Sequence, residues 1–243
     1  MRFFSLATRN MKEVYRDPVS VLLGLVMPIA MLILFSSIYK KTQLDMFSPQ
    51  RLTPGIVIFS FAFLIMFSAI LLAKDKQSAF LTRLLTTPLK SSDFILAYIL
   101  PFIPLALFQT GAGFFVGAVL GATFSKVFIS LIIFLLIALT CVSLGMILGS
   151  LFTVNQVSGI GSFFITAIAL FSGAWMNLKM VGGIFETIGY ALPFAHAVDA
   201  LNELLTGSSL FIDIKINFYW ISIYTVVLFI LAILSFKWKM KQG

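Results

Sequence analysis

Six long runs of this 243-residue sequence contain no charged residue, and this pattern constrains the fold more than any other feature. Each run is close to the roughly 20 residues that an α-helix needs to cross a hydrocarbon core about 30 Å thick. They show no strand-like alternation of polar and apolar residues, and a helix in lipid satisfies its own backbone hydrogen bonds. The sequence therefore predicts an all-α membrane protein with one membrane domain over residues 1–243 and six spans. The runs are residues 19–39, 54–73, 94–120, 127–151, 157–176 and 218–236.

The composition excludes several chemistries. Hydrophobic residues make up 60% and charged residues 11% of the chain, whereas a soluble domain carries about 25% charged residues. With one cysteine, one histidine and no Gly-Lys dipeptide, the chain offers no metal cluster, disulfide or phosphate-binding loop. We therefore expect no catalytic, cofactor-binding or metal site in this chain.

The span interiors also lack acidic and basic residues. Proton- and sodium-coupled transporters place such residues in their membrane helices. If this chain moves a solute uphill, we expect the energy to come from another polypeptide.

Lysine and arginine predict the orientation of the chain. If the N-terminus is inside, 11 of the 17 basic residues lie on the inner side, as the positive-inside rule requires. We expect a multi-pass protein of the cell membrane (plasma or inner) with both termini in the cytoplasm. No cleavable signal peptide is visible, because the first 15 residues are too polar.

Residues 2–16 predict an amphipathic helix that lies along the membrane interface. Apolar residues share one helical face, and basic residues that suit lipid headgroups gather on the other. The Asp17-Pro18 pair then turns the chain into the bilayer. A plain membrane anchor and a contact surface for a cytoplasmic partner both fit this pattern. The apolar set is Phe3, Phe4, Ala7, Met11, Val14 and Tyr15, and the polar set is Arg2, Arg9, Lys12, Glu13 and Arg16.

The longest inner loop, residues 74–93, predicts a second amphipathic helix. Thr86-Thr87-Pro88 ends it, since a residue that precedes proline avoids the helical conformation. The apolar face can lie on the chain's own helix ends or in a groove of a partner. That face comprises Phe80, Leu81, Leu84 and Leu85, with Arg83 to its side and Asp75 the nearest acid.

The last outer connection predicts two short helices, residues 181–192 and 194–205, which are too short to span and are broken at Pro193. This connection carries His196 and Asp199. We expect His196 to act as an interfacial hydrogen-bonding residue rather than as a proton switch.

Small residues at four-residue spacing predict close helix packing within the subunit, with a sliding or dimer surface as the alternative. Pro28, Pro101 and Pro104 favour kinks in the first and third spans. The small residues are Gly113, Gly117 and Gly121 in the third span, and Gly145 and Gly149 in the fourth.

Three stretches resemble one known family in their order and spacing: Arg16-Asp17-Pro18, the Arg83–Leu89 stretch RLLTTPL, and the Leu192–Ala200 stretch LPFAHAVDA. Together they make the chain similar to the membrane subunit of a type-2 export ATP-binding-cassette (ABC) transporter. The resemblance implies two permease subunits, identical or paralogous, on two cytosolic ATPase subunits that hold ATP and Mg²⁺.

The resemblance also implies roles for the segments at the membrane edges. The first inner loop would be the coupling helix that sits in a cleft of the ATPase, and the N-terminal helix would be a connecting helix beside it. The helices broken at Pro193 would form an outer gate. The family often has an acidic residue and Gly-Thr-Leu-Glu before the Arg-Leu-Leu run, where this chain has Ser78–Thr82, SAFLT. We therefore expect coupling to depend on Phe80, Leu81 and Leu84.

The leading hypothesis is efflux of a hydrophobic or amphiphilic substrate (drug, antimicrobial peptide or lipid), driven by a separate ATPase. Polysaccharide export by the same machine is the nearest alternative. A passive channel or membrane scaffold is a different class, and a channel needs a more polar lining than these spans offer. Nucleic acid is not an expected partner.

Overall fold

The computed structural model describes residues 2–78, 91–207 and 214–240 of the chain. This part of the protein consists of α-helices, one short 3-10 helix (Asp45–Phe47) and connecting turns. In chain order the α-helices are α1 (Arg2–Tyr15), α2 (Pro18–Thr42), α3 (Pro49–Gln77), α4 (Ser91–Ile99), α5 (Phe102–Val119), α6 (Val127–Leu151), α7 (Val154–Phe171), α8 (Leu178–Val181), α9 (Gly183–Ala191), α10 (Pro193–Leu205) and α11 (Lys215–Met240).

Six segments of the described residues are long and apolar enough to cross a membrane, which confirms the predicted all-α membrane fold. Four of them carry charged side chains only near their ends, and the other two, Val127–Leu151 and Val154–Phe171, carry none. The second span is longer than predicted, because α3 continues through charged residues at both of its ends. The candidate spans are Val21–Thr42, Pro49–Gln77, Ser91–Val119, Val127–Leu151, Val154–Phe171 and Lys215–Lys239.

Helix α3 is the centre of the bundle. It packs against α2, α5, α6, α7 and α10, and it is the most buried of the six spans. Glycines on its neighbours make this packing close: a Cβ atom built on Gly145 of α6 would lie 2.5 Å from the Ile65 carbonyl oxygen of α3, and one on Gly149 would lie 2.6 Å from that of Ala69.

The glycines of α5 approach α3 in the same way. A Cβ atom on Gly113 would lie 2.4 Å from Val57 Cγ2, and one on Gly117 would lie 2.5 Å from Thr53 Oγ1. Both glycines therefore pack closely against α3 of the same chain.

Gly121 behaves differently from the other glycines of the predicted stripe. Its φ is +100°, and a Cβ atom built there would meet nothing within 4 Å. Glycine reaches this conformation without the steric cost that a side chain would impose. Gly121 therefore turns the chain after α5 and makes no close contact with another described helix of the same chain.

Proline positions explain two breaks in the helices. Pro101 separates α4 from α5 within the third span, because it has no N–H to continue the helix. Pro193 begins α10 after the extended residue Leu192, which confirms the predicted break. Pro104 lies in the first turn of α5, where a missing N–H costs no helical hydrogen bond. Pro28 lies inside α2.

Two ends of the bundle are distinct. At the α1 end lie α1, α4, the start of α2 and the last turns of α3, α6 and α11. At the α10 end lie α8, α9, α10, the start of α3 and the start of α11.

Candidate functional site

Helix α1 packs on the bundle through a mixed apolar and polar side. Ala7 and Leu6 are buried, and Phe3 and Val14 pack partly against the core. Asn10 is also fully buried, and its Nδ2 donates a hydrogen bond of 3.1 Å to the Ala97 carbonyl oxygen of α4. The sequence pattern does not predict the burial of Asn10, because a polar residue of an amphipathic helix is expected on the polar face.

Two aromatic residues of the predicted apolar face are instead uncovered. Phe4 is 68% exposed and Tyr15 is 67% exposed. A tyrosine suits a membrane interface, where its ring meets lipid and its hydroxyl meets water, and an exposed phenylalanine supplies apolar area to the lipid side. Lys12 and Arg16 are exposed on the same helix and the turn that follows it.

An ion cluster ties α1 to the end of α3. Arg9 binds the Asp75 carboxylate in a bidentate manner, with Nη2 donating to Oδ1 at 2.8 Å and Nη1 donating to Oδ2. The Tyr98 hydroxyl of α4 donates to the same Oδ2 at 2.6 Å. We call these residues the Arg9–Asp75–Tyr98 cluster.

The cluster compensates the burial of a charge. Asp75 is buried, and a buried carboxylate is costly unless charged or polar donors surround it. Burial opposes the charge on Arg9, but the hydrogen bond and the charge of Asp75 raise its pKa above the ordinary value. The structure thus places Asp75, predicted as part of the coupling segment, in the joint between α1, α3 and α4.

The next residue, Lys76, holds the end of α3 from another side. Its Nζ donates to the carbonyl oxygens of Gly149, Ser150 and Phe152, at 3.0, 2.8 and 2.7 Å. These carbonyls belong to the last turn of α6 and its cap, which have no partner within the helix and attract cations. The sequence pattern contains no signal for this contact between Lys76 and the end of α6.

The two anchors lie at the start of the predicted coupling loop, residues 74–93. Asp75 and Lys76 fix the last turn of α3 to α1, α4 and α6. The other predicted coupling residues lie outside the described residues: Phe80, Leu81, Arg83, Leu84, Leu85, Thr86, Thr87 and Pro88.

The predicted gate residue His196 is buried at the α10 end. Its Nδ1 lies 2.8 Å from Asn217 Oδ1 of α11, and its Nε2 lies 3.0 Å from the Tyr190 carbonyl oxygen of α9. Its ring stacks on Trp220, with ring centroids 5.4 Å apart. His196 therefore joins α9, α10 and α11 by hydrogen bonds and stacking.

Asp199 lies one turn further along α10. It accepts a hydrogen bond from the Tyr190 hydroxyl, and Lys179 Nζ is 3.9 Å away. Burial, with this hydrogen bond, raises the pKa of the Tyr190 phenol. Beside Asp199, a cavity of about 320 Å³ is lined by both charged and aromatic side chains, among them Arg51 and Trp175.

Helix α7 exposes a polar face that sequence analysis did not single out. Asn155, Ser158, Ser162 and Thr166 follow one another at three- or four-residue spacing and are all exposed. Each hydroxyl donates to the carbonyl oxygen four residues earlier, at 3.2, 2.9 and 3.0 Å. This satisfies the hydroxyl hydrogens and leaves the oxygens outward as acceptors. Phe163, on the same side, is 67% exposed.

Six membrane-length segments, with charged residues absent from their middle, define a multi-pass membrane protein. The chain belongs to the ABC-2 type transporter family, whose sequence profile matches residues 1–206. This confirms the resemblance found in the sequence and identifies the chain as a membrane permease component, a class that implies an ATP-binding-cassette partner.

Curated relatives agree with this assignment. YvfS of Bacillus subtilis (strain 168) is 25% identical over 209 residues, which cover 82% of this chain and 84% of the relative. The ycf38 protein of Pyropia yezoensis is 32% identical over 97 residues, or 38% of this chain. That match spans only 33% of the length of ycf38. Both relatives carry the name "Putative transport permease".

Proposed function

We propose that this chain is the permease of an exporter that moves a hydrophobic or amphiphilic molecule (a drug, antimicrobial peptide or lipid) out of the cell. The observation that carries the proposal is the uncovered polar face of α7. A membrane-length helix that turns hydroxyl oxygens away from its own bundle suits a pathway that a second subunit completes.

The composition of this face supports an amphiphilic cargo. Ser162 and Thr166 supply acceptors, while Phe163 and Leu170 beside them supply apolar contact area. A pathway lined in this way can accept hydrogen bonds from a cargo molecule and contact the hydrocarbon part of the same cargo molecule. A second permease, identical or paralogous, faces the first across α7.

Energy for transport comes from two cytosolic ATPase subunits, which hold ATP and Mg²⁺. The lack of charged side chains in the middle of the described spans supports this division of work, since such spans offer no carboxylate for ion coupling. The ATPases bind the α1 end, where the two anchors fix the last turn of α3 at the start of the coupling loop. Arg9, Lys12, Arg16, Asp17 and Pro18 form the connecting segment beside it.

The α10 end faces the outside and forms the gate. Pro193 breaks the short helices there, and His196 and Asp199 hold α10 against its neighbours. Both termini are then cytoplasmic, the host membrane is the cell membrane, and residues 1–243 act as one membrane domain.

Cysteine cross-linking in native membranes tests the pairing of two chains through α7. We expect Ser162→Cys to give a disulfide-linked dimer on mild oxidation. Val226→Cys, which places a cysteine at a 57% exposed position of α11, should give none. The unmodified chain is a second control, because its Cys141 is fully buried. Equal cross-linking at both introduced cysteines would contradict a specific α7 interface.

Transport tests the pathway itself. In vesicles that contain the cognate ATPase, Ser162→Val with Thr166→Val should reduce ATP-dependent efflux of accepted substrates. Ser37→Ala removes an exposed hydroxyl with the same backbone hydrogen bond from α2, at 2.8 Å, and should have little effect. Flux that needs neither ATP nor the ATPase would favour a passive channel.

A further inference from the structure

A cavity of about 300 Å³ lies at the α1 end, between α1, α2, α3 and α5. Its floor is apolar and is made by residues of the membrane-length helices: Val21, Phe67, Ile70, Leu71 and Phe102. Its rim carries four charged residues from the end of α1, the turn that follows, and α3: Glu13, Arg16, Asp17 and Lys74. The cavity is thus amphipathic, with charge at the helix ends and hydrocarbon below.

The rim carries two basic and two acidic side chains, and the two basic ones are available for a ligand. The guanidinium of Arg16 and the ammonium of Lys74 form no ion pair or side-chain hydrogen bond with any residue that the structure describes. The two acidic residues differ from them: Glu13 lies 3.8 Å from Arg9, and Asp17 interacts with another residue. Two unpaired cations on separate elements are suited to bind one anionic group between them.

We propose that this cavity binds a phospholipid, with its phosphate between Arg16 and Lys74 and the start of an acyl chain on the apolar floor. Charge complementarity selects the phosphate, and the floor of Phe67, Ile70 and Phe102 selects the hydrocarbon. A free phosphate ion would leave that floor empty. The rim lies at the ends of membrane-length helices, where lipid headgroups are found.

The environment of α1 supports a lipid as the occupant. The exposed Phe4 and Tyr15 flank basic residues on this helix, which is the composition of a segment that rests on headgroups. A lipid seated beneath the end of α1 would pack between this helix and α3, next to the Arg9–Asp75–Tyr98 cluster. The site is separate from the α7 face, so it does not depend on the proposed transport function.

Lipid binding to the purified full chain tests the proposal. Native mass spectrometry would follow titration with phosphatidylethanolamine and with diacylglycerol of the same acyl chains. We expect saturable binding of one phosphatidylethanolamine per cavity and no comparable binding of diacylglycerol, which lacks the phosphate. This comparison uses the unmodified chain, so it does not depend on the folding of any variant.

Matched variants locate the site. Arg16→Gln with Lys74→Gln should weaken phosphatidylethanolamine binding roughly 10- to 30-fold. This is the combined effect expected when two basic side chains near a lipid headgroup are removed. Lys40→Gln with Lys41→Gln removes the same charge from the last turn of α2 at the other end of the bundle, and should leave binding unchanged.

A third variant tests the floor without changing charge. Ile70→Trp fills the cavity and should reduce binding while Arg16 and Lys74 remain in place. Equal loss in both double variants, or equal binding of diacylglycerol and phosphatidylethanolamine, would overturn the proposal and indicate nonspecific lipid contact.

Discussion

At the scale of single residues, the α1 end depends on one buried carboxylate. Asp75 receives hydrogen bonds from Arg9 and Tyr98, so that three helices share one charge. Removing one partner of such a group is worse than removing both, because the remaining charge stays buried without compensation. The cluster can therefore be tested by comparing a variant that lacks one partner with a variant that lacks both, since a simple loss of contacts would make the second variant less stable.

We expect Arg9→Ala to destabilise the protein by about 2–3 kcal/mol, below the range for fully buried pairs because Arg9 is partly exposed. Arg9→Ala with Asp75→Asn should recover part of this loss. Thermal unfolding in detergent measures both. If the double variant unfolds at a lower temperature than Arg9→Ala alone, Arg9 does not compensate a buried charge on Asp75.

Close packing at Gly145 gives a second prediction. A methyl group there would meet the Ile65 carbonyl oxygen of the backbone, which cannot rotate away. We expect Gly145→Ala to cost about 1–3 kcal/mol by overpacking. Gly111→Ala is the control, because a Cβ atom at Gly111 meets nothing within 4 Å. Equal unfolding temperatures of the two variants would contradict the close contact between α3 and α6.

At the scale of helices, the last turn of α3 is the element that connects the bundle to the predicted coupling loop. Asp75 holds this turn to α1 and α4, and Lys76 holds it to the end of α6. Motion of the loop would therefore pass to three helices through two adjacent side chains. The two anchors can be separated by mutation.

We expect Lys76→Met to reduce transport while ATP hydrolysis by the partner continues, because the loop loses its attachment to α6. The methionine keeps most of the apolar length of the side chain, so the packing change is small. Lys239→Met is a suitable control, since it removes a basic residue near the same end of the bundle from α11. Parallel loss of hydrolysis and transport in both variants would contradict a specific anchor.

The features that the sequence predicts depend on local patterns, whereas those that it does not predict depend on contacts between distant parts of the chain. Charge-free runs predict spans because lipid imposes the same requirement on every residue of a run, and Pro101 and Pro193 break helices through their own covalent structure. Asn10 and Lys76 point inward because of partners far along the chain, which no local pattern contains.

Only part of the candidate functional sites can be predicted from the sequence. The positions of Pro193, His196 and Asp199 followed from the family resemblance, but their partners Tyr190, Trp220 and Asn217 required the fold. The sequence pattern does not indicate the polar face of α7, because only the packing of the bundle shows which side of this helix is uncovered. The predictions for Phe80 to Pro88 stay predictions, since these residues lie outside the described ranges.

At the scale of the whole molecule, we propose that this chain supplies the membrane pathway and a separate ATPase supplies the energy. The described spans place their charges at the ends, and two well-connected joints, at the α1 end and the α10 end, lie where a motor and a gate would act. Membership of the ABC-2 type transporter family supports this division. The central claim is therefore that this permease works only with an ATP-binding-cassette ATPase.

Co-purification tests that claim most directly. The tagged chain would be solubilised from its own membranes in mild detergent, isolated, and its partners identified by mass spectrometry and ATP hydrolysis. We expect an ATP-binding-cassette ATPase in equal amount to the permease, and we expect Leu84→Asp to uncouple its ATP hydrolysis from transport. A complex that never contains an ATPase subunit, under conditions that keep the bundle folded, would contradict the account.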